Sequence, residues 1–314
     1  MLVSVVICTY NRSDLLAKVI KSLVCQTFDR AKYEIIIVDN NSSDNTHDVV
    51  KSFADQENLR YVFEPTQGLS HARNTGLKEA VGDYVSYFDD DCIIPDRWLE
   101  KAAISIEKLQ PAAFGGPTLP EYFTPKPAWF KDSYHAHNLG DEPKNLSYEH
   151  GELLHGNNMS FNRQALEAVG GFNTELGMSG DKIAYGEDIV IQKLIRKLGA
   201  EYQIFYDPEL YIYDVVRPEK MQIMWVARQR LISGRYSQIV LPDNPNKFEL
   251  SRSIRIPLRV IFRSAALVWS CGASAIWRDR THYPHVENYL YERSFEHLHA
   301  LGRVYEEIIA TSRY

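Results

Sequence analysis

The chain has 314 residues, of which 45% are hydrophobic and 24% charged, a composition typical of a soluble globular protein with a sizeable core. Its formal net charge of -6 gives no overall basic excess, which argues against nucleic acid as the main partner. The four cysteines form no CxxC pair, so neither a zinc site nor a redox motif is predicted.

The N-terminal run "LVSVVIC" is short and rich in β-branched residues. A signal peptide needs a longer apolar region behind a charged leader, so we expect a buried strand here, with Cys8 as a small core residue. No run of about 18 uncharged apolar residues occurs, and a membrane-spanning helix is not expected. The chain is expected to be cytoplasmic.

The first 110 residues alternate between strand and helix patterns. Strands are predicted at 3–9, 33–39, 59–64 and 83–89, and helices at 13–27, 45–54 and 69–81. Because the strands are apolar throughout, both of their faces must be covered. The pattern therefore predicts an α/β fold with a mostly parallel central sheet flanked by helices.

Polar clusters follow three of these strands: "TYNR", "DNNSSDNT" and "DDD". In parallel α/β sheets, ligands bind beyond the carboxyl ends of the strands, so we expect the chemistry at this edge. No GxGxxG motif follows the first strand, and no GxxxxGK[ST] motif is present. A dinucleotide cofactor and a P-loop are therefore disfavoured.

The three consecutive aspartates Asp89, Asp90 and Asp91 stand at the end of the fourth strand. Strand alternation would place Asp89 and Asp91 on one face and turn Asp90 away. Two neighbouring carboxylates repel each other, and a hard divalent cation such as Mg²⁺ or Mn²⁺ is the usual remedy. A solvated acidic turn is the alternative.

Residues 111–155 are rich in Pro, Gly and aromatic residues and are predicted to be irregular, with short strands. Trp129 in this segment is a candidate for stacking on a sugar, or else a local packing residue. A helix at 186–199 and a strand at 201–207 follow, and from about 219 onward the pattern is helical.

Six motifs together resemble a family 2 glycosyltransferase with the GT-A fold. They are "TYNR" (9–12), "VDNNSSDNT" (38–46), "GLSHARNTGL" (68–77), "YFDDDCIIPDRWL" (87–99), "GNNMSFNRQALEAVGGFN" (156–173) and "GEDIVIQKLIRKLG" (186–199). The resemblance implies a catalytic domain over residues 1–220, with residues 221–314 as a C-terminal helical region. It also implies an inverting enzyme that depends on a divalent metal and uses a nucleotide-sugar donor.

The resemblance assigns roles to particular positions. Residues expected at the nucleotide-sugar are Thr9, Tyr10, Asn11, Arg12, Asp39, Asn41, Arg73, Asp89 and Asp90. Asp39 would accept a hydrogen bond from the base, as in members that use uridine nucleotides. Asp91 would ligate Mn²⁺ or Mg²⁺, with Asp89 close to the metal. Trp129, Asn157 and Asn158 are expected near the sugar and acceptor, although the two asparagines could instead form a turn before a strand.

Asp188 in "GED" resembles the general base of the family, and Glu187 is the alternative. A carboxylate in the first turn of a helix is kept ionised by the helix dipole and the free amides, and can take a proton from an acceptor hydroxyl. Acidic residues favour helix N-termini for purely structural reasons as well.

One position departs from the family pattern. Members often carry a histidine after the last strand of the catalytic domain, and here Asp214 in "YDVVRPEK" occupies that place. Asp214 either adds a carboxylate to the metal site or leaves that site with one ligand fewer.

The segment 250–280 carries six arginines and one aspartate. Arg252, Arg255, Arg259 and Arg263 share one helical face, and the apolar run 264–277 follows. This pattern predicts either a membrane-surface element attracted to anionic lipid, or a helical hairpin packed on the catalytic domain.

We therefore expect an enzyme that moves a sugar, from a UDP-sugar in the first instance, to a saccharide or lipid-linked saccharide in polysaccharide or glycolipid biosynthesis. It would act in the cytoplasm, on the inner face of the membrane. A nucleotidyltransferase of related fold and a catalytically decayed carbohydrate-binding protein are the alternatives. The first would carry a "GxGTRL" motif near its N-terminus, where this chain has "TYNR".

Overall fold

The computed structural model describes residues 2–147, 151–180, 184–240 and 252–312. The chain divides into two compact units. The first comprises Met1–Glu121, His135–Ile183 and Glu187–Val215, and the second comprises Tyr122–Tyr134, Ala184–Gly186 and Val216–Tyr314. The expected boundary between domains after residue 220 stays a prediction.

The first unit contains the strands of the described chain. They are β1 (Val3–Thr9), β2 (Tyr33–Asp39), β3 (Leu59–Phe63), β4 (Tyr84–Asp89), β5 (Cys92–Ile93), β6 (Ala113–Gly115), β7 (Thr118–Glu121), β8 (Lys144–Asn145), β9 (Asn158–Asn162), β10 (Ile204–Tyr206) and β11 (Ile212–Val215). The large sheet has the order β3-β2-β1-β4-β9-β6-β10-β8, and a small sheet has the order β5-β11-β7. β1 to β4 pair in parallel, whereas β9 is antiparallel to both β4 and β6. The predicted mostly parallel sheet is confirmed.

Helices cover both faces of the large sheet. They are α1 (Ser13–Val24), α2 (Thr46–Lys51), α3 (Leu69–Glu79), α4 (Trp98–Leu109), α5 (Arg163–Ala168) and α6 (Glu187–Arg196). Successive side chains of β1 enter separate cores: Val5 lies in one with Leu16 of α1, and Val6 in the other with Ala72 of α3. A Cβ at Gly76 would lie 2.4 Å from Val6 Cγ1, so glycine lets α3 lie close against β1.

The second unit is helical, as predicted from about residue 219 onward. Its helices are α7 (Ile223–Val240), α8 (Arg252–Ile276), α9 (Val286–Tyr289) and α10 (Phe295–Ser312), with a π-helical turn at Leu290–Ser294. One core cluster of this unit contains Trp129, Phe130, Met221, Val226 and Phe295. These aromatic and aliphatic side chains connect the segment 122–134 to α7 and α10.

Two of the four arginines that share a helical face in residues 250–280 are paired with an acidic residue of the second unit. Arg255 and Arg259 donate to the carboxylate of Glu307 in α10, at 2.6 and 2.8 Å, so they are turned toward the protein. The basic and apolar parts form one continuous helix that passes through Pro257. Residues 250 and 251 and the side chain of Arg252 lie outside the described part of the chain.

One helical stretch of the described residues, Ile254–Ile276, is long and apolar enough to cross a membrane by length and composition. It has a mean hydropathy of 1.2, and little of it is buried within the protein. The stretch contains three arginines and is therefore not an uncharged run of the kind considered above.

Candidate active site

A pocket lies at the carboxyl ends of β1, β2 and β4, at the edge of the sheet where the sequence predicts the chemistry. Five of the predicted residues line it: Thr9, Tyr10, Arg12, Asp89 and Asp90. The other lining residues are Cys8, Asn40, Leu69, Ala72, Met178 and Gly180. Cys8, expected in the core, thus contributes to the pocket wall, and burial raises the pKa of its thiol to about 12. A thiol with this pKa stays neutral.

The three aspartates take up three different positions. β4 ends at Asp89, and Asp90 and Asp91 form a turn before β5. The prediction that Asp90 points away from the site is wrong, because side chains alternate only while the backbone is extended, and the extended backbone ends at Asp89. Asp89 and Asp90 both line the pocket, whereas Asp91 turns toward β11.

Two arginines offset the charge of the three aspartates. Arg12 Nη1 lies 2.7 Å from Asp90 Oδ1 and 3.6 Å from Asp91 Oδ2, and Thr9 Oγ1 donates to Asp90 Oδ2 at 2.8 Å. Arg73 Nη2 lies 3.5 Å from Asp89 Oδ1. Burial raises the pKa of Asp90, and the charge of Arg12 works in the opposite direction. The protein itself therefore supplies part of the compensation that the sequence analysis assigned to a metal.

Two asparagines near the pocket have left-handed backbone conformations, with φ of 52° at Asn11 and 67° at Asn41. Asn11 Oδ1 accepts from Ser43 N at 2.7 Å, and Asn11 N donates to Ser42 Oγ at 2.9 Å. Asn11 therefore ties the loop after β1 to the loop after β2. Asn41 is exposed and is not among the residues that line the pocket, and its expected contact with the donor stays a prediction.

Asn40, the residue before Asn41, lines the pocket. Its Nδ2 donates to Thr66 O at 2.7 Å, and its Oδ1 accepts from Gly68 N at 2.7 Å, which fixes the entry to α3. Asp39 is buried, and its carboxylate accepts from Ser42 N at 2.9 Å and from Tyr61 Oη at 2.7 Å. A carboxylate has about four acceptor positions, so these two bonds do not exhaust its acceptor capacity, but Asp39 is not among the residues that line the pocket.

A group of potential metal ligands lies beside the pocket residues. One ligand atom each from Asp91, Cys92 and Asp214 lie within 4.8 Å of one another, and all three residues are buried. The register of the small sheet explains the approach, because Asp214 of β11 stands opposite Cys92 of β5. Asp91 and Asp214, far apart in sequence, thereby become neighbours.

The donor set of this group suits a hard cation. Burial raises the pKa of the Cys92 thiol well above its usual value, which leaves two carboxylates as the effective ligands. Mg²⁺ and Mn²⁺ accept one or two carboxylates and complete their shells with water and phosphate oxygens. His135 Nε2 contacts Asp214 Oδ2, so an imidazole lies next to this carboxylate without being one of the grouped ligands.

A second acidic pair stands at the start of α6. Glu187 is buried and bonds through Oε1 to Arg73 Nη1 at 2.8 Å, and Arg73 Nη2 also donates to Gly156 O at 3.0 Å. Asp188 is half-buried, and its Oδ1 accepts from Ile189 N at 2.9 Å. A Cβ at Gly156 would lie 3.3 Å from Asp188 Oδ2, so the glycine keeps this carboxylate uncovered. Glu187 is thus held in an ion pair, whereas the carboxylate of Asp188 is uncovered.

Burial raises the pKa of Glu187 to about 7. The neighbouring charge of Asp188 acts in the same direction, while the ion pair with Arg73 lowers the pKa. The ion pair with Glu187 holds Arg73 in place, and Arg73 in turn lies close to Asp89. This chain of contacts links α6 to the end of β4.

The two asparagines of "GNN" are structural in this fold. Asn158 is fully buried, and its Nδ2 donates to Leu210 O at 2.8 Å and to Pro117 O at 3.2 Å. Asn157 is also buried, and its Oδ1 accepts from Thr118 Oγ1 at 2.8 Å. Both side chains help to join strands and loops, and their expected contact with sugar stays a prediction.

Trp129 is a packing residue of the second unit. Its side chain is 8% exposed and meets the rings of Phe130 and Tyr134, at 5.3 and 6.2 Å between centroids. The packing interpretation is therefore correct, and the ring is not available for stacking on a sugar. Aromatic composition alone does not distinguish a binding ring from a core ring.

Sequence reasoning missed two residues that organise the site, Asn40 and His135. A signal for Asn40 is present, since it follows Asp39 directly at the end of β2. His135 lies in an irregular segment 79 residues before its partner Asp214, and no local pattern relates the two.

The chain is similar to a known protein family and to several known proteins. The family model described as "Glycosyl transferase family 2" matches residues 4–170. The "Glucosyl-dolichyl phosphate glucuronosyltransferase" of Haloferax volcanii is 30% identical over 248 residues, which cover 77% of each chain. The "Succinoglycan biosynthesis protein ExoM" of Rhizobium meliloti is 27% identical over 281 residues, or 87% of this chain and 86% of that protein.

Two solved structures share the fold. The mannosyltransferase PcManGT from Pyrobaculum calidifontis, in complex with GDP-Man and Mn²⁺, superposes with a TM-score of 0.62 at 20% identity over 97% of this chain and 87% of its own. The S. aureus TarS fragment 1-349 in complex with UDP-GlcNAc gives a TM-score of 0.58 at 17% identity over 100% of this chain and 93% of its own. The extent of the family match and the relative at 30% identity decide the assignment: the chain is a glycosyltransferase with the GT-A fold and belongs to glycosyl transferase family 2.

Proposed function

We propose that the protein transfers a sugar from a UDP-sugar to a hydroxyl of a saccharide or lipid-linked saccharide, with inversion at the anomeric carbon. The observation that supports this most directly is the approach of Asp91 to Asp214 beside a pocket lined by Thr9 and Asp89. A nucleoside diphosphate-sugar needs a polar pocket for the nucleoside and a cation site for the diphosphate, and these residues provide both.

The donor would enter the pocket at the ends of β1 and β2. Thr9 and Tyr10 line the wall, and Asp39 has acceptor capacity for an N–H group of the base. Uracil carries such a group at N3, which suits a UDP-sugar, and guanine carries one at N1 as well. The complex of TarS with UDP-GlcNAc supports this choice, whereas the complex of PcManGT with GDP-Man makes guanine the base to test against it.

Asp91 and Asp214 would hold Mn²⁺ or Mg²⁺, with Asp89 at the pocket side. When bound, this ion would offset the negative charge of the departing nucleoside diphosphate. Arg12 is placed to add positive charge on the same side, because its guanidinium lies within 3.6 Å of both Asp90 and Asp91. The PcManGT complex contains Mn²⁺, which makes this the first ion to test.

Asp188 would act as the general base. It would take the proton of the acceptor hydroxyl while that oxygen bonds to the anomeric carbon and the bond from this carbon to the diphosphate breaks. Asp188 is better suited than Glu187, because Glu187 is buried and bound to Arg73. Glu187 is instead a positioning residue, which keeps Arg73 close to Asp89.

The names of two relatives support the proposed acceptor class. The name of the Haloferax volcanii relative includes a glucosyl-dolichyl phosphate, which is a lipid-linked sugar. The name of the Rhizobium meliloti relative includes succinoglycan, which is a polysaccharide. A lipid-linked acceptor would place the enzyme on the inner face of the membrane, where cytoplasmic nucleotide-sugars are available.

The test is a panel of UDP- and GDP-sugars with Mn²⁺ or Mg²⁺, with release of the nucleoside diphosphate and donor binding by calorimetry as readouts. Asp188→Asn should bind the donor as the wild type does and lose transfer by about 100-fold or more. Glu187→Gln is the matched control on the adjacent residue and should keep a larger fraction of the activity. If Glu187→Gln loses more activity than Asp188→Asn, Glu187 is the base. A protein that binds no nucleotide-sugar would be a decayed member of the family.

A further inference from the structure

The longest helix of the second unit, α8, has its polar side chains turned inward and its apolar side chains turned outward. Leu258, Ile261, Phe262, Val268, Trp269 and Ile276 are each more than half exposed, and we call this set the lipid face. A helix on the surface of a water-soluble protein has the opposite arrangement. The lipid face therefore needs an apolar neighbour.

The opposite side of α8 carries the polar contacts. Arg255 and Arg259 bond to Glu307, and buried Ser270 Oγ lies 2.8 Å from Ser294 Oγ. The charged residues between 254 and 276 are three arginines, and Arg263, the third, lies with its Nη1 at 3.3 Å from His297 Nδ1. The contacts with α10 and the π-helical turn thus fix which side of α8 faces outward.

We infer that the lipid face rests in the interface of a lipid bilayer and holds the protein there by apolar insertion. At about 100° per residue, the six side chains span an arc of about 120°, which is wider than the narrow seam of a two-stranded coiled coil. A coiled coil with a second copy would also place charged residues along the seam, and the described side chains of the lipid face are all uncharged. A hydrocarbon surface is complementary to such a face.

The helix would lie along the membrane surface. A helix of 25 residues is about 37 Å long, enough to cross a bilayer, but its arginines bond to α10 along one side. A helix apolar on one side and polar on the other lies in the interface plane. The exposed rings of Trp269 and Trp277, 5.3 Å apart, are of the type enriched at the membrane interface.

This mode of binding differs from the attraction to anionic lipid that the arginine pattern suggests. Arg255 and Arg259, two of the six arginines in residues 250–280, are paired with Glu307 and are not available for lipid headgroups. Binding should therefore depend on exposed apolar area, and depend little on salt or on anionic lipid. The inference rests on the proposed function in one respect only, which is that a lipid-linked acceptor would bring the protein close to a membrane.

The test is flotation of the full chain with vesicles of phosphatidylcholine, alone or mixed with phosphatidylglycerol, at low and high salt. We expect comparable binding in all four conditions. The double variant Ile261→Asp, Val268→Asp should bind at least ~10-fold more weakly, because two inserted apolar side chains are replaced by charges. Met224→Asp is the control, since Met224 is 76% exposed on α7, outside the lipid face. Both changes are on exposed positions, and circular dichroism checks that the fold is retained.

Three results would overturn the inference. The wild type could stay unbound, or bind only anionic vesicles at low salt with no effect of the double variant. Sedimentation could instead show a dimer that the double variant dissociates, which would assign the face to a second copy. Transfer to a soluble acceptor is measured in parallel. A protein that floats without transferring sugar contradicts the proposed function alone, and one that transfers without floating contradicts the lipid face alone.

Discussion

Arg12 is expected to stabilise the first unit by offsetting the charges of Asp90 and Asp91, and Arg12→Met tests this. Its Nη1 lies 2.7 Å from Asp90 Oδ1 and 3.6 Å from Asp91 Oδ2, and both aspartates are almost fully buried. Removing one partner of a buried ion pair costs about 3–5 kcal/mol. Because the Arg12 side chain is itself 32% exposed, we expect the lower free energy cost of about 2–3 kcal/mol.

The assay is the free energy of unfolding from urea titration of the wild type, Arg12→Met, Asp90→Asn and the double variant. The double variant should recover about 2 kcal/mol relative to the sum of the single effects, because no buried charge is then left at position 90. Arg97→Met is the control, since Arg97 forms an exposed ion pair with Glu100 and should leave the urea midpoint unchanged.

The pH dependence adds a second criterion. Burial already raises the pKa of Asp90, and loss of Arg12 should raise it further above its value in the unfolded chain. The folded variant then binds this proton more tightly than the unfolded chain does, so the stability loss should shrink as the pH falls. Additive effects in the double variant, or a loss independent of pH, would refute this account of the three aspartates.

The remaining predictions concern the metal site and Glu187. His135→Gln should weaken Mn²⁺ binding by about 10-fold, because His135 orients Asp214. Electron paramagnetic resonance of free Mn²⁺, in the absence of nucleotide, measures this affinity. An unchanged affinity would exclude the positioning role of His135. The pKa of Glu187 is raised from 4.5 to about 7, so the folded state holds the proton more strongly, and the free energy of unfolding should fall as the pH rises through that interval. Urea titrations across this interval should show a weaker slope for Glu187→Gln, and equal slopes would contradict the assignment.

The local order of the fold could be predicted from the sequence because its signals are local. Apolar runs, helical periodicity and polar clusters at strand ends gave β1 to β4, the helices between them and the edge of the sheet at which the pocket lies. The family motifs pointed to Thr9 and Asp89, and both line the pocket. Their roles in binding and catalysis remain predictions.

Other features depend on where the chain turns. The expected direction of Asp90 is wrong because β4 ends at Asp89, as predicted, and strand alternation does not extend into the turn that follows. Asn158 and Trp129 carry polar and aromatic groups suited to a sugar, yet both are buried in contacts within the protein. Residue type alone does not distinguish a side chain that binds a sugar from one that is buried within the protein.

The sequence by itself determined the family, the α/β order and the position of the acidic motif, since each is written in consecutive residues. The tertiary structure alone decided which distant side chains meet: Asp214 beside Asp91 through the register of β11 and β5, and His135 beside Asp214. It also decided the orientation of α8, for which the sequence allows either a membrane-surface element or a packed hairpin. The bonds of Arg255 and Arg259 to Glu307 turn their side of the helix inward and leave the apolar side outward, because a helix is oriented by the partner it packs against.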